Sequence, residues 1–312
     1  MFQYTISQWV LFFFWYCFLG WIWESFYVSA VTAWKERKLK FVNRGFLHGP
    51  LIPIYGCAAT LILFATLPVK SNLIAVYVFG MLAATCMELV TGTTMEAVFH
   101  VKYWDYSHIP LNYKGHICFF VSLFWGFFSV IMIRYIHAFS EKIVLGMSLT
   151  MVEGITFVLL VLFTYDFKVS LSEAIDMKEL LETITESNET LRLLEGRFDA
   201  ALAFGAKMEI EQLRARISGV RQEFKISITE KREEKLSVLH KAQELLEHVE
   251  EEYFADKSQL LEKIEKELRA IIQRRDKQFI YAARQLKRNP GVISKKYKEA
   301  LDELRKLTNN LK

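Results

Sequence analysis

The sequence predicts an all-α fold in two parts: a polytopic membrane helix bundle of about five transmembrane helices, then a long cytoplasmic helical, coiled-coil region. Three observations carry this. The first 166 residues contain five apolar stretches interrupted by isolated acids. The 146 residues from Phe167 to Lys312 carry 56 charges and neither Trp nor Cys. Between Pro110 and Pro290 there is no proline. Lipid offers no partner to a backbone amide or carbonyl, so an apolar stretch about 20 residues long crosses as a helix. The organisation that follows is a transmembrane domain over 1–166, a long-helix coiled-coil region over 167–288 and a short basic C-terminal helix over 289–312.

The first span covers about Gln8 to Thr32, with Glu24 as its only charge. Its apolar run is too long for the core of a signal peptide and no small-residue cleavage site follows, so it is expected to stay uncleaved. Span two covers about Gly49 to Val69, where Pro50, Pro53 and Gly56 favour a kink over an unwound first turn. Span three starts near Asn72, carries Glu88 and continues helically to His100. Span four covers about His116 to Ile136, and span five about Lys142 to Tyr165 with Glu153 near its middle. Five spans put the termini on opposite sides. The connections 34–48 and 101–115 hold seven Lys and Arg against three (Lys70, Arg134, Lys142) on the other face. Basic loops stay in the cytoplasm, so the N-terminus is expected outside and the C-terminus inside a bacterial inner membrane.

Residues 170–286 are rich in Glu, Lys, Leu, Arg and Ala, all good helix formers. Leu180, Ile184, Leu191, Leu194 and Phe198 keep heptad spacing, which restarts at Ile210 and again at Leu239. Gly205 and the 256–258 step are candidate bends. Unbent, about 120 helical residues would reach roughly 180 Å. The Asn289-Pro290-Gly291 run ends a helix. Charge divides along this region, with 16 basic and 23 acidic side chains in 168–268 but 13 and 4 in 269–312. A basic tip suits a solvated face, or contact with anionic lipid or the acidic part of another copy; nucleic acid is the least favoured partner.

Catalytic and nucleotide signatures are missing. The chain contains no G-x-x-x-x-G-K-[ST], no H-E-x-x-H, no Cys-x-x-Cys and no G-x-S-x-G. No cofactor, metal or enzymatic activity is expected, and any ATP used must be handled by another subunit. What stands out is polarity at membrane depth. Glu24, Arg44 and Glu88 gather toward one face, with Asn43, Asp105 and His116 nearby, and an ionised group there costs about 3 kcal/mol unless it faces the bundle interior with a partner. Arg44 is the partner expected for Glu24 or Glu88. The group serves either as an ion-pair knot between spans or as a binding or gating site for a polar solute. A metal site drawn from His48, Glu88, Glu96, His100 and His116 has no diagnostic spacing. Glu153, mid-span and without a visible partner, is either a protonated core residue or part of a proton or solute path.

The ordered blocks Gly20-Trp21-Ile22-Trp23-Glu24, Asn43-Arg44-Gly45-Phe46, Gly49-Pro50, Pro53-Ile54-Tyr55-Gly56, Trp104-Asp105-Tyr106-Ser107, Gly115-His116-Ile117-Cys118 and Ser122-Leu123-Phe124-Trp125-Gly126, together with Glu88, resemble the CmpB-like family of bacterial membrane proteins, putative ABC-transporter type IV, over roughly residues 9–145. The resemblance implies a permease subunit that partners a separate ATPase, and it draws attention to Glu24, Arg44, Glu88 and Asp105. The rival reading is a membrane-anchored scaffold whose coiled coil recruits cytoplasmic partners or a second copy.

Overall fold

The computed structural model describes residues 4–37, 41–203 and 279–310. Its described residues are almost all helical: α1 (Ile6–Glu36), α2 (Pro53–Thr66) with a 3-10 turn (Leu67–Val69), α3 (Leu73–Phe99), α4 (Phe119–Ile131), a π-helical turn (Met132–His137), α5 (Ala138–Leu145), α6 (Leu149–Ala203), helical residues 279–288 (α7) and α8 (Lys298–Asn310). A two-stranded hairpin pairs β1 (Asn112–Tyr113) with β2 (Ile117–Cys118), Tyr113 opposite Ile117. Gly115 sits in its turn at φ +75°, a backbone conformation that glycine adopts without strain.

Local chemistry sets the helix ends. Thr5 and Gln8 form a reciprocal capping box at the start of α1, the Thr5 hydroxyl accepting from the Gln8 amide and the Gln8 side chain from the Thr5 amide. The Asn72 side chain caps α3 by accepting from the amides of Ile74 and Ala75.

Four helical stretches are long and apolar enough to cross a membrane: Ile6–Trp34, Leu73–Phe99, Phe119–Leu145 and Leu149–Thr185. The second span, expected over Gly49–Val69, starts later than expected. Residues 49–52 are not helical, because the chain first turns helical with Pro53 at the opening position, where its fixed φ suits a helix and its missing amide is not needed. The remaining helix, Pro53–Val69, is about 27 Å long at α and 3-10 rises, shorter than the four long stretches. It still carries the chain from Glu24 back toward the Tyr4 end, so the 34–48 and 101–115 connections meet at one end of the bundle, where Arg44 donates to the Tyr103 carbonyl. The proline pair makes a helix start here, in place of the expected kink.

The chain divides into two compact units, Met1–Ile175 with Arg284–Lys296, and Asp176–Ala283 with Tyr297–Lys312. In the first, α1 packs on α2, α2 on α3 and α3 on α4. Phe12, Leu63, Val76, Met132 and Val152 belong to its core. Small residues allow the close approach that apolar helices in lipid depend on. A Cβ on Gly56 would lie 2.6 Å from the Phe13 carbonyl oxygen, which as backbone has nowhere to go. Large side chains on the outer faces, such as Trp23, Phe26 and Phe127, are exposed, as lipid-facing positions require. The membrane part of α6 is the least enclosed, with 11% of its most apolar window buried against 28% in the other three spans.

Near the start of α1 a buried His137 occupies the π-helical turn. Its Nε2 lies 3.1 Å from the Tyr4 hydroxyl and its Nδ1 2.9 Å from the Tyr16 hydroxyl, while Tyr4 donates to Glu141 at 2.5 Å. The wide π turn carries this ring into the bundle.

In the second unit, the described part of α6 beyond Asp176 buries Met177, Leu180 and Leu181, and α8 buries Leu301 and Leu304. Tyr297 donates to Glu182 at 2.6 Å. The helix predicted to end at Asn289-Pro290-Gly291 ends at residue 288. The later heptads, the bends at Gly205 and 256–258, and the part of the basic tip before residue 279 lie outside the described residues.

Candidate functional site

Glu24 stands on α1 about 30 Å along the helix from Tyr4. The segment 41–52, irregular in backbone, folds back along this part of α1 and replaces lost helical hydrogen bonds with side-chain ones. The Val42 amide donates to Ser29 Oγ (2.9 Å), the Arg44 amide to Ser25 Oγ (3.2 Å) and the Ile52 amide to the Cys17 carbonyl (3.1 Å). Asn43 accepts from Trp21 Nε1 at 2.6 Å and donates to the His48 carbonyl at 2.8 Å, so it fastens the segment. Gly45 passes through φ +134°, open to glycine alone.

This places Arg44 at a junction of four parts of the chain. Its Nε lies 3.3 Å from Glu24 Oε1, one terminal nitrogen donates to Asn289 Oδ1 at 3.0 Å, and the other donates to the Tyr103 carbonyl at 3.2 Å. Tyr55, on α2, donates to the second Glu24 oxygen at 2.5 Å. Both oxygens of Glu24 are therefore engaged, and the pairing expected of Arg44 is made with Glu24.

Glu88 differs. It is buried on α3, one oxygen accepts from the Tyr106 hydroxyl at 2.9 Å, and the other has no hydrogen-bond partner. The Trp125 indole N–H lies beside the same carboxyl without bonding to it. The Tyr103 hydroxyl is also buried and unbonded. Burial first, then the Glu88 carboxyl, raises the Tyr106 pKa well above the ordinary tyrosine range, so Tyr106 acts as a donor. Glu88, Trp125 and Tyr103 line one cavity of about 480 Å³, which reaches from Arg44 and Asn289 inward to Ile62 and Met132. Its walls are mainly apolar. On α3 alone they extend from Ala84 to Phe99, about 22 Å at helical rise.

A second polar cluster adjoins it. Asp166 on α6 accepts from the amides of His48 (3.0 Å) and Gly49 (2.8 Å). His48 Nδ1 lies 3.0 Å from both Asp166 Oδ1 and Ser170 Oγ, and its Nε2 lies 3.2 Å from Glu173 Oε1. Glu173, only 1% exposed, also holds Arg288 at 2.7 Å and Arg284 at 3.5 Å. Asn289 donates to the Gly45 carbonyl at 2.9 Å, the backbones of Lys102 and Ile293 bond in both directions, and Ser294 donates to the His100 carbonyl at 2.7 Å. Residues 284–294 are thus fastened to the 44–46 segment, to α6 at Ser170 and Glu173, and to the residues just after α3.

Other expected site residues lie apart from the cavity. His116 pairs with Glu96 at 2.9 Å, and buried Lys102 reaches Glu96 at 3.7 Å and Asp105 at 3.9 Å. Burial, and after it the Lys102 charge, lowers the His116 pKa despite Glu96. Asp105 accepts from Ser107 and shapes the hairpin approach. Glu153 is corrected: it lies exposed on α6 rather than in the bundle core, and it lines neither the 480 Å³ cavity nor the second one of about 850 Å³ between α1 and α6. Among the described residues no group of three His, Cys, Asp or Glu side chains is placed to hold a metal ion. The residues that sequence reasoning missed are Tyr55, Tyr106, Asp166, Glu173, Arg288 and Asn289. Asp166, Ser170 and Glu173 do share one helix face just after an apolar run, which was a readable signal.

The fold and this site define a multi-pass helical membrane protein with a polar-ended cavity inside its bundle. Residues 11–171 match the family described as putative ABC-transporter type IV, and the chain belongs to that family. No curated protein and no solved structure matches it. The matched stretch includes Glu24, Arg44, Glu88 and Asp166 but ends before Glu173 and α7.

Proposed function

We propose that the chain is a permease-like transporter subunit, without catalysis of its own, whose solute site is the cavity beside Glu88 and whose energy comes from a separate ATPase. The observation that carries this is the contrast between the two carboxylates. Partly exposed Glu24 spends both oxygens, on Arg44 and Tyr55, whereas buried Glu88 keeps one free on a cavity wall. Membership of an ABC-transporter family and the missing phosphate loop support an ATPase on another chain. The basic 34–48 and 101–115 connections favour a cytoplasmic location for the end of the bundle holding Arg44, with the N-terminus outside and the C-terminus inside. In this reading the stretch between α6 and α7, outside the described residues, is where a cytoplasmic partner takes hold.

The scaffold reading uses the same segment as an anchor and needs no ATPase. Purification of the full chain in mild detergent separates the two: a stoichiometric ATPase is expected, and a set of cytoplasmic proteins without one would select the scaffold. For the orientation, a single cysteine at Lys38→Cys is expected to resist an impermeant thiol reagent on intact cells and to react after permeabilisation. Reaction on intact cells would invert the topology.

A further inference from the structure

We propose that the cavity takes an organic cation with an apolar body, and that Glu88 receives its charge. This rests on reading the cavity as the solute site. Two acidic side chains, Glu24 and Glu88, and one basic side chain, Arg44, line it. Arg44 and Glu24 pair with one another. Glu88 has no cationic partner among the described residues, only the neutral Tyr106 hydroxyl on one oxygen. Its other oxygen is unpartnered, and the residue is 7% exposed. A buried carboxylate so poorly compensated favours the arrival of positive charge and opposes an anion.

The surroundings select an organic cation over an inorganic one. A dehydrated calcium or magnesium ion takes six or more oxygens, while these walls are mainly apolar and no group of three His, Cys, Asp or Glu placed to hold a metal occurs among the described residues. The volume, about 480 Å³, suits a small organic molecule and far exceeds a single ion. Tyr55, Tyr106, Trp104 and Trp125 place aromatic rings in the cavity walls, and aromatic faces attract weakly hydrated cations. From Glu88 the cavity continues inward to Ala59, Ile62 and Met132, which receive the apolar body. Trp125 Nε1 and the Tyr103 hydroxyl, both unbonded, are donors for a polar acceptor on the same ligand.

Tetraphenylphosphonium and tetraphenylborate share shape and apolarity and differ in sign of charge. With the full chain in nanodiscs, and uptake by empty nanodiscs subtracted, the cation is expected to bind saturably and at least tenfold more tightly than the anion. Glu88→Gln is expected to abolish that preference, and Ala84→Phe, which fills the inner part of the cavity, to weaken the binding. The comparison of charges on the unsubstituted chain needs no variant, so it stands even where a substitution impairs folding. Equal binding of the two probes, tighter binding of the anion, or no saturable binding of the cation overturns the proposal. If binding without charge preference still falls in Ala84→Phe, the cavity remains the solute site and only the cationic class is wrong. If Ala84→Phe changes nothing, the cavity reading fails as well.

Discussion

Arg288→Ala is expected to lower the stability of the chain in detergent by about 3 kcal/mol and to free the 284–294 segment for proteolysis. Removing one member of a buried ion pair strands the other, and that is costlier than removing both. Glu173 is 1% exposed and Arg288 10%, at 2.7 Å. Arg284, half exposed at 3.5 Å, and His48 Nε2 at 3.2 Å both lie on Oε1 of Glu173, whereas Arg288 holds Oε2, so that oxygen loses its cationic partner. The double variant Glu173→Leu with Arg288→Leu is expected to be less destabilised than either single one. Thermal unfolding read beside Lys295→Ala, an exposed control, checks this. An Arg288→Ala protein as stable as that control, with the segment still protected, would mean that the pair contributes nothing.

The second large effect is expected at Arg44. Its replacement by alanine removes three bonds at once and leaves Glu24, the Asn289 carbonyl oxygen and the Tyr103 carbonyl without that partner. Glu24 is 26% exposed and keeps its bond from Tyr55, so solvent screening and Tyr55 temper the loss, to about 2 kcal/mol. Replacing Glu24 and Arg44 together by leucine is expected to cost less than Arg44→Ala alone. Equal stability of Arg44→Ala and the Lys295→Ala control contradicts the pairing.

These two pairs differ in how visible they are in the sequence. Glu24 and Arg44 are 20 residues apart and both at membrane depth, where lipid makes an unpaired charge costly, so the physics of the solvent alone demands a pairing. Glu173 and Arg288 are 115 residues apart in a stretch where charge is ordinary, and nothing local distinguishes them from solvated neighbours. Asn289 is similar: as part of an Asn-Pro-Gly turn it signals a helix end, and only tertiary structure brings it to Arg44. Tyr55 and Tyr106 read as apolar bulk, since a hydroxyl's partner is set by the packing of separate helices. The four long spans were legible from apolar length. The start of the second span was not, because hydropathy counts Gly49 to Ile52 as membrane residues, while proline geometry keeps them out of the helix. Glu153 misled because an acid in mid-span was assigned to the interior, whereas the loosely enclosed α6 presents that face outward.

The proposed function has solute enter the Glu88 cavity at the Arg44 end of the bundle, on the cytoplasmic side, beside the 284–294 segment. Its most direct test is the reactivity of one cysteine on the cavity wall, Thr91→Cys, in a chain whose four native cysteines are replaced by alanine. In inverted membrane vesicles a water-soluble thiol reagent is expected to label this position, and severalfold faster when Arg288→Ala frees the segment. Labelling from the opposite face alone, or none from either face with or without Arg288→Ala, contradicts the account.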